Sequence, residues 1–330
     1  MRAMTAAATT ALPEGWTTRR PKLDDAEEIL ALVHASDIAA FGEPDCTLDE
    51  VREMLTEPNT DMSRDCWIAL DPAGKIIGWA YPRNANRGDR DFADVYIWPE
   101  HGRPALRPLL ALLMDRMAER AAEFGHDPYE VRAGAIASEG ELVAALEDAG
   151  FAFLKQHARL QMSLAGVPLT APAPPAGVTV REVRGDDEGD LRAVHSVIFR
   201  AFADTDHLGA DYEAWRTQIG NESSISFDEW FVAEVDGRVV GALQSSDAGV
   251  DDNEGWVKRL GVLRAYRKRG VGEALLRRAF AVYAAKGRAK VGLGVDMENP
   301  TQAIRLYYAV GMTPLYQADV YRTYVTARAR

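Results

Sequence analysis

The sequence predicts an α+β fold built twice in tandem, in which each copy is a mixed, mostly antiparallel sheet flanked by helices. Two observations lead to this prediction. Landmarks of the first half recur in the second half about 160–166 residues later, which is typical of a duplicated domain. Each half also shows one order of patterns: a strand, one or two helices, a three-strand meander, a long helix, a strand, a helix and closing strands.

The composition suits two globular domains. The chain has 330 residues, 47% hydrophobic and 27% charged, enough for two cores of ordinary size. Its net charge of −12 argues against sequence-independent nucleic-acid binding, because such binding needs a broad basic surface. There is no run of about 18 apolar residues, and Cys46 and Cys66 lack metal-site spacing. We expect a cytoplasmic protein that binds neither nucleic acid nor membrane.

The two copies open in the same way. Residues 15–34 read GWTTRRPKLDDAEEILALVH, and residues 177–195 read GVTVREVRGDDEGDLRAVH. Each stretch predicts a short strand, an Asp-Asp pair that can cap a helix, and an apolar helical stripe ending in His34 or His195. Nothing with metal spacing accompanies the two histidines, so we interpret them as packing groups.

Later landmarks continue the match. CWIALDPAGKIIGWA (66–80) and WFVAEVDGRVVGAL (230–243) each predict a β-hairpin. EGELVAALEDAGF (139–151) and NPTQAIRLYYAVGM (299–312) each predict a helix that ends at a glycine.

A proline-rich stretch, LAGVPLTAPAPPAG, separates the copies and cannot continue a helix or a sheet. We therefore predict an N-terminal domain at 13–163, a linker at 164–177 and a C-terminal domain at 178–330.

Positive charge is concentrated in one stretch, KRLGVLRAYRKRGVGEALLRR (258–278), which holds eight Lys or Arg against one acid. It predicts a strand, a basic turn with Gly270 and Gly272, and a helix. Helix N-termini hold anions, and glycines let the backbone approach a ligand closely, so the chemistry suits a pyrophosphate. A solvated basic helix start is the alternative; a dinucleotide fingerprint fits less well, because Leu275 stands at its third glycine.

Two segments of the C-terminal copy resemble the GNAT superfamily of N-acetyltransferases. Its acyl-CoA signature is similar to L-x-V at 260–262 followed by R-x-x-G-x-G at 267–272, and its second conserved segment to the run 299–312. The resemblance covers most of 177–330, and the tandem layout is similar to that of the mycothiol synthase type. It implies acetyl-CoA as cosubstrate, no metal, and a set of cofactor-binding residues: Leu260, Gly261, Val262, Arg267, Lys268, Arg269, Gly270, Val271, Gly272, Glu273 and Asn299.

The N-terminal copy lacks this site. Pro104 stands where Gly270 is expected, and Leu106 stands where Gly272 is expected. Proline has no N–H to offer a phosphate, and leucine adds a side chain where the backbone must approach. We predict a degenerate N-terminal domain and a catalytic C-terminal one.

The resemblance also implies catalytic roles. Tyr307 matches the superfamily's general acid, which protonates the departing thiolate. Trp256 occupies the usual position of the base, so Glu254 acting through a water is the candidate. Asp251 and Asp252 lie near it, and a water chain without a dedicated base is the alternative. In the segment 199–215, acidic and aromatic residues interleave in a way that suits a cationic acceptor, and an exposed acidic loop is the alternative; the candidates are Asp204, Asp206 and Tyr212.

The sequence therefore predicts acetyl transfer from acetyl-CoA to a primary amine of a small molecule. The alternatives are a protein N-terminus or lysine as acceptor, mycothiol-type synthesis, and an acyl-CoA-binding regulatory module without turnover. A homodimer stays open at this point.

Overall fold

The computed structural model describes residues 11–85, 87–203, 205, 211–221, 225–250, 252–298, 301 and 303–328. The chain forms two compact units. Unit 1 runs up to Gln156 and resumes at Ala318, and unit 2 comprises His157–Gln317. Both divisions fall inside a long strand. The domain boundaries predicted above (13–163, 164–177 and 178–330) follow the repeat in the sequence, whereas the compact units are defined by packing in space. The predicted boundaries therefore stay a prediction.

Among the described residues, the first copy supplies five α-helices and six strands. The helices are α1 (Ala26–Phe41), α2 (Leu48–Leu55), α3 (Met62–Asp65), α4 (Arg103–Phe124) and α5 (Gly140–Asp148). The strands are β1 (Thr17–Arg19), β2 (Trp67–Leu70), β3 (Ile76–Arg83), β4 (Arg90–Ile97), β5 (Tyr129–Ile136) and β6 (Ala152–Ser163).

The second copy repeats this order, with four α-helices and six strands in the part of the chain that the structure describes. The helices are α6 (Glu188–Ala201), α7 (Tyr212–Asn221), α8 (Val271–Ala285) and α9 (Ala303–Ala309). The strands are β7 (Thr179–Glu182), β8 (Phe231–Val235), β9 (Arg238–Ser246), β10 (Glu254–Val262), β11 (Lys290–Asp296) and β12 (Thr313–Val325). The recurrence confirms the predicted fold class.

The strand order within the units is also the same. Unit 1 has the order β1-β2-β3-β4-β5-β12, and unit 2 has the order β7-β8-β9-β10-β11-β6. In each unit the fourth and fifth strands run parallel, while the other registered neighbours among the described residues are antiparallel. A parallel pair needs a crossover, and the long helices α4 and α8 provide it.

Each sheet is completed by a strand that comes from the other copy. Residues 157–163 of β6 pair with all of β11 in unit 2, and residues 318–325 of β12 pair with β5 in unit 1. These segments are part of the cores. Leu160 is fully buried in unit 2, and Tyr321 is buried in unit 1. The closing strands are therefore exchanged between the two copies.

Apolar cores cover both faces of the sheet in unit 2. On one face, α8 packs through Leu275 and Phe280 against Leu243 of β9. On the other face, α6 packs through Val194 against Ala242 of β9. The sheet thus has an α8 face and an α6 face, and side chains alternate between them along each strand. Among the described residues, no helix is both long and apolar enough to cross a membrane.

Candidate functional site

The sheet of unit 2 opens between its two parallel strands. β10 pairs with β11 only from Glu254 to Trp256, opposite Lys290 to Gly292, yet β10 continues to Val262 and β11 to Asp296. A bulge accompanies the opening, because the register of β10 with β9 slips between Val257 and Arg259. Bulges bend a strand and raise its twist, which turns the end of β10 away from its neighbour. The register thus describes a splay between the two parallel strands of unit 2.

The edge of β10 that faces the gap carries peptide groups that no neighbouring strand pairs. The N–H of Leu263 donates to the carbonyl of Val240 at 2.9 Å, so residue 263 faces β9. Peptide groups alternate between the two edges of a strand, and therefore those of Leu260 and Val262 face the gap. An extended ligand in the gap would find donors and acceptors there, as an added strand does.

At the start of α8 the backbone forms a cradle of N–H groups. Gly270 caps the helix in the left-handed region with φ of 76°, and Lys268 also has a positive φ of 59°. The first backbone hydrogen bond at the start of α8 runs from the N–H of Ala274 to the carbonyl of Gly270, at 3.0 Å. Within the described chain, the N–H groups from Lys268 to Glu273 have no acceptor. Bare amides at a helix N-terminus form a ready anion site.

The side chains of this loop divide into two groups. Arg267 braces the loop, because Nε donates to the carbonyl of Val262 and Nη2 to that of Ala201, each at 3.0 Å. Lys268 and Arg269 are exposed, and Arg269 lies 5.5 Å from the ring centre of Tyr266. Arg267, which the sequence predicts to bind the cofactor, thus also holds the loop in place, and the sequence did not reveal this contact. The exposed Lys268 and Arg269 add positive charge beside the cradle.

The corresponding turn of unit 1 has used its amides. Gly102 donates to Trp98 at 2.8 Å, Arg103 to Glu100 at 3.3 Å and Ala105 to Gly102 at 2.9 Å. Pro104, in the first turn of α4, has no N–H at all. The geometry agrees with the loss of an anion site that the sequence predicted for this copy.

Tyr307 lies in α9 and is 7% exposed, packed in the core under the α8 face. Its hydroxyl has no hydrogen-bond partner among the described residues, and burial raises its pKa to about 12. It is therefore protonated at neutral pH. Its neighbour Tyr308 is 45% exposed. Asn299, predicted from the same motif, lies outside the described residues.

Glu254 begins β10 and is fully buried. Its carboxylate accepts from Arg159 Nη2 at 2.9 Å and Gln161 Nε2 at 3.3 Å, and Lys290 Nζ lies 4.0 Å away. The carboxylate also occupies the space over Gly292, where any Cβ would collide with it. The structure thus describes a buried ion pair, and the role of general base stays a prediction.

Sequence reasoning missed Arg159 and Gln161. Both belong to β6, the last strand of the first copy, and pair in register with Gly294 and Gly292 of β11. They reach unit 2 only through the strand exchange. No local motif marks the two residues. They are identified only once the pairing of β6 with β11 is known.

The predicted acceptor residues are only partly described. Asp204 and Asp206 lie outside the described residues. Tyr212 begins α7, where its ring centre lies 5.4 Å from that of His195 and 5.7 Å from that of Trp215. The guanidinium of Arg192 covers the same ring at 3.9 Å. Tyr212 is thus one member of an aromatic cluster on α6 and α7, which includes a histidine that the sequence interpreted as a packing group.

A cleft of about 270 Å³ lies elsewhere, in unit 1, and is lined by ion-paired side chains. Arg120 bonds both Asp65 at 2.8 Å and Asp91 at 2.9 Å, and Arg116 bonds Asp65 and Glu123 at 2.7 Å. Charges satisfied in this way hold the fold, and we assign the cleft no chemistry. Within the described chain, no cluster of three His, Cys, Asp or Glu has the arrangement of a metal site.

Comparisons with known proteins agree with this geometry. Residues 192–312 match the Acetyltransferase (GNAT) family. The chain is 32% identical over 307 residues to a mycothiol acetyltransferase of Thermobispora bispora, a match that covers 88% of this chain and 92% of that protein.

Two solved structures share the fold. A GCN5-related N-acetyltransferase from Sphaerobacter thermophilus matches with a TM-score of 0.80 and 24% identity, covering 97% of this chain and 99% of that one. A tandem GNAT protein from the clavulanic acid biosynthesis pathway matches with a TM-score of 0.66 and 16% identity, covering 94% and 98%.

Proposed function

Because this chain belongs to the GNAT family of acetyltransferases, we propose that unit 2 moves the acetyl group of acetyl-CoA to a primary amine of a small molecule. The family and its acetyl-CoA-dependent N-acetyltransferase activity follow from the comparisons; the acceptor class and the choice of unit are our proposal. One observation carries it: unit 2 has bare amides at the start of α8 beside an open strand edge, whereas unit 1 has consumed the matching amides.

The cosubstrate fits these features by its chemistry. The diphosphate of CoA is a dianion that the N–H groups from Lys268 to Glu273 can bind, with the exposed charges of Lys268 and Arg269 alongside. The pantetheine arm carries two amides, and the peptide groups of Leu260 and the N–H of Val262 can bond them in the gap. Arg267 holds the loop against β10, so the two subsites keep a fixed spacing.

In the proposed reaction, the lone pair of a neutral amine attacks the thioester carbon. A backbone N–H at the edge of β10 polarises the carbonyl and stabilises the negative charge that develops on its oxygen. The C–S bond then breaks, and the departing thiolate takes a proton from the Tyr307 hydroxyl. The nitrogen gives up its extra proton to water, directly or through a water that Glu254 orients, and Tyr307 is reprotonated from solvent.

Unit 1 is proposed to be structural. Pro104 and the occupied amides around it offer a diphosphate little to bind. Its sequence copy nevertheless supplies residues 157–163 to the sheet of unit 2, and with them Arg159, the partner of Glu254.

A mycothiol-related acceptor is the second candidate. The observation that favours it is the match to mycothiol acetyltransferase over 92% of that protein's length. At 32% identity the acceptor pocket has had ample room to change, so we keep the broader class of small amines as the main proposal.

The test is a panel of acceptors assayed for release of free thiol from acetyl-CoA. The panel contains glucosamine, spermidine, cyclohexylamine, a mycothiol precursor with a free amine and a lysine-containing peptide, and products are identified by mass spectrometry. We expect acetylation of at least one small amine. Turnover confined to the peptide would redirect the proposal to proteins. Tight CoA binding without any turnover would support a regulatory module instead.

A further inference from the structure

A glutamine in the sheet of unit 2 has a buried amide oxygen without a partner. Gln244, in β9, is 1% exposed, and its amide oxygen has no hydrogen bond among the described residues. Burying an amide without a partner is costly, and most buried polar groups in folded proteins are satisfied. A ligand that donates a hydrogen bond to this oxygen would satisfy it.

The side chain of Gln244 points to the α6 face of the sheet. Its neighbour Ser245 bonds Tyr283 of α8, and Ala242 packs in the core under α6. Side chains alternate along a strand, so Gln244 lies on the same face as Ala242. It stands opposite Arg259 of β10, next to the register slip and one strand away from the gap.

Unit 1 offers an internal comparison. Gly78 of β3 pairs with Ile97, and Gly241 of β9 pairs with Val262, which makes Tyr81 the counterpart of Gln244. Tyr81 is stacked on Trp79 with ring centres 4.0 Å apart, and its hydroxyl donates to Met54 Sδ at 3.2 Å. In unit 1, which lacks the cradle, this position thus holds a large side chain whose hydroxyl has a hydrogen-bond partner.

The unit with the cradle leaves the same position unsatisfied. We propose that the amide oxygen of Gln244 accepts a hydrogen bond from an N–H or O–H group of the amine substrate that receives the acetyl group. The acceptor class is then an amine that carries a second donor, such as a hydroxyl, near the nitrogen that attacks. This inference rests on the proposed function and concerns recognition of the acceptor alone. Gln244 is a specificity residue in this account, because the chemistry of acetyl transfer does not need it.

The test compares wild type with Gln244→Met, which keeps the length of the side chain and removes its hydrogen bonds. The probes are two six-membered rings that each bear an amine: glucosamine, which has hydroxyl donors, and cyclohexylamine, which has no second donor. We expect kcat/KM for glucosamine to fall about tenfold to a hundredfold in the variant, while that for cyclohexylamine stays within about twofold. The affinity for CoA should not change.

Thermal stability separates this role from a structural one. Removing a buried amide that has no partner is neutral or stabilising, so we expect the Tm of Gln244→Met to stay equal or rise. The matched control is Ser245→Ala, which deletes a partnered hydroxyl on the other face; it should lower Tm and leave the ratio of the two kcat/KM values unchanged.

Three results would overturn the inference. The first is an equal loss of kcat/KM with both amines, and the second is no loss with either; in both cases the proposed function stands, since wild type turns over. The third is a fall in Tm as large as that of Ser245→Ala. If wild type acetylates no amine in the panel, the proposed function fails, and the inference falls with it.

Discussion

Replacing Gly270 by proline should remove the diphosphate site and little else. The native residue has φ of 76°, whereas proline requires a φ near −65°, so the loop cannot keep its present path. The substitution also deletes one N–H of the cradle. We therefore expect the variant to fold, since the core under α8 is formed by residues from Val271 onward, and to bind CoA weakly.

The size of the effect follows from the hydrogen bonds involved. A bond from an N–H to a charged oxygen contributes about 1.5–3 kcal/mol, which corresponds to roughly a tenfold to hundredfold change in Kd. The altered φ also displaces the neighbouring amides, so the loss should reach or exceed the upper value. Gly270→Ala is the graded comparison. It keeps the N–H but costs about 1–2 kcal/mol for the left-handed backbone, and its Cβ would lie 2.7 Å from Pro175 Cγ.

Isothermal titration with CoA gives the affinity, and thiol release gives turnover. Acetyl-pantetheine provides the sharper control, because it carries the thioester without the diphosphate. Its turnover should be the same in Gly270→Pro and wild type, once both are saturated. Pro104→Ala, at the matching position of unit 1, should leave both substrates unaffected. An unchanged CoA affinity in folded Gly270→Pro, or a loss in Pro104→Ala, would refute the assignment of the cradle.

Three further predictions concern other parts of the chain. Tyr307→Phe should lower kcat by about 10²–10⁴-fold with unchanged CoA affinity and nearly unchanged Tm, because the hydroxyl has no partner to lose among the described residues; normal turnover would exclude it as the acid. Burial raises the pKa of Asp37 to about 6, so ionisation of this carboxyl destabilises the folded state above that pH. Asp37→Asn should therefore raise the unfolding free energy by about 1–3 kcal/mol at pH 8 and hardly at pH 4, as measured by denaturant titration. Equal effects at the two pH values would contradict this. Deleting residues 318–330 removes the strand segment that contains the buried Tyr321 and pairs with β5. The unfolding free energy of unit 1 should fall by at least about 3 kcal/mol, and limited proteolysis should cleave that unit selectively. Resistance of unit 1 to the protease would argue against the exchanged strand.

The sequence predicted the repeated fold and the cradle well because both depend on local patterns. Hairpin turns, helix-ending glycines and the paired glycines of the basic stretch each fix the backbone over a few residues. Gly150 and Gly311, predicted to end the matching helices, both have positive φ. The absence of the cradle in unit 1 was equally visible, because Pro104 removes an N–H in any fold.

What the sequence could not predict depends on partners far along the chain. Glu254 was chosen as the candidate base because it lies two residues before Trp256, the usual position of the base, yet its surroundings are set by Arg159 and Gln161, 95 and 93 residues away. Gln244 carried no motif at all. Its interest comes from a missing contact, and a missing contact is defined only when all the neighbours in space are known.

The strand exchange gives the first copy a structural role in unit 2 that does not depend on a binding site of its own. Residues 157–163 are written at the end of the first copy, yet they form the edge of the sheet that carries the splay, and Leu160 is fully buried there. A chain that lost the first copy would lose this strand, expose the polar edge of β11, and leave the carboxylate of Glu254 buried without Arg159. An uncompensated buried charge is among the costliest defects in a folded protein. The last strand of the first copy therefore stabilises the sheet and the buried carboxylate of unit 2, whether or not the first copy binds a cosubstrate.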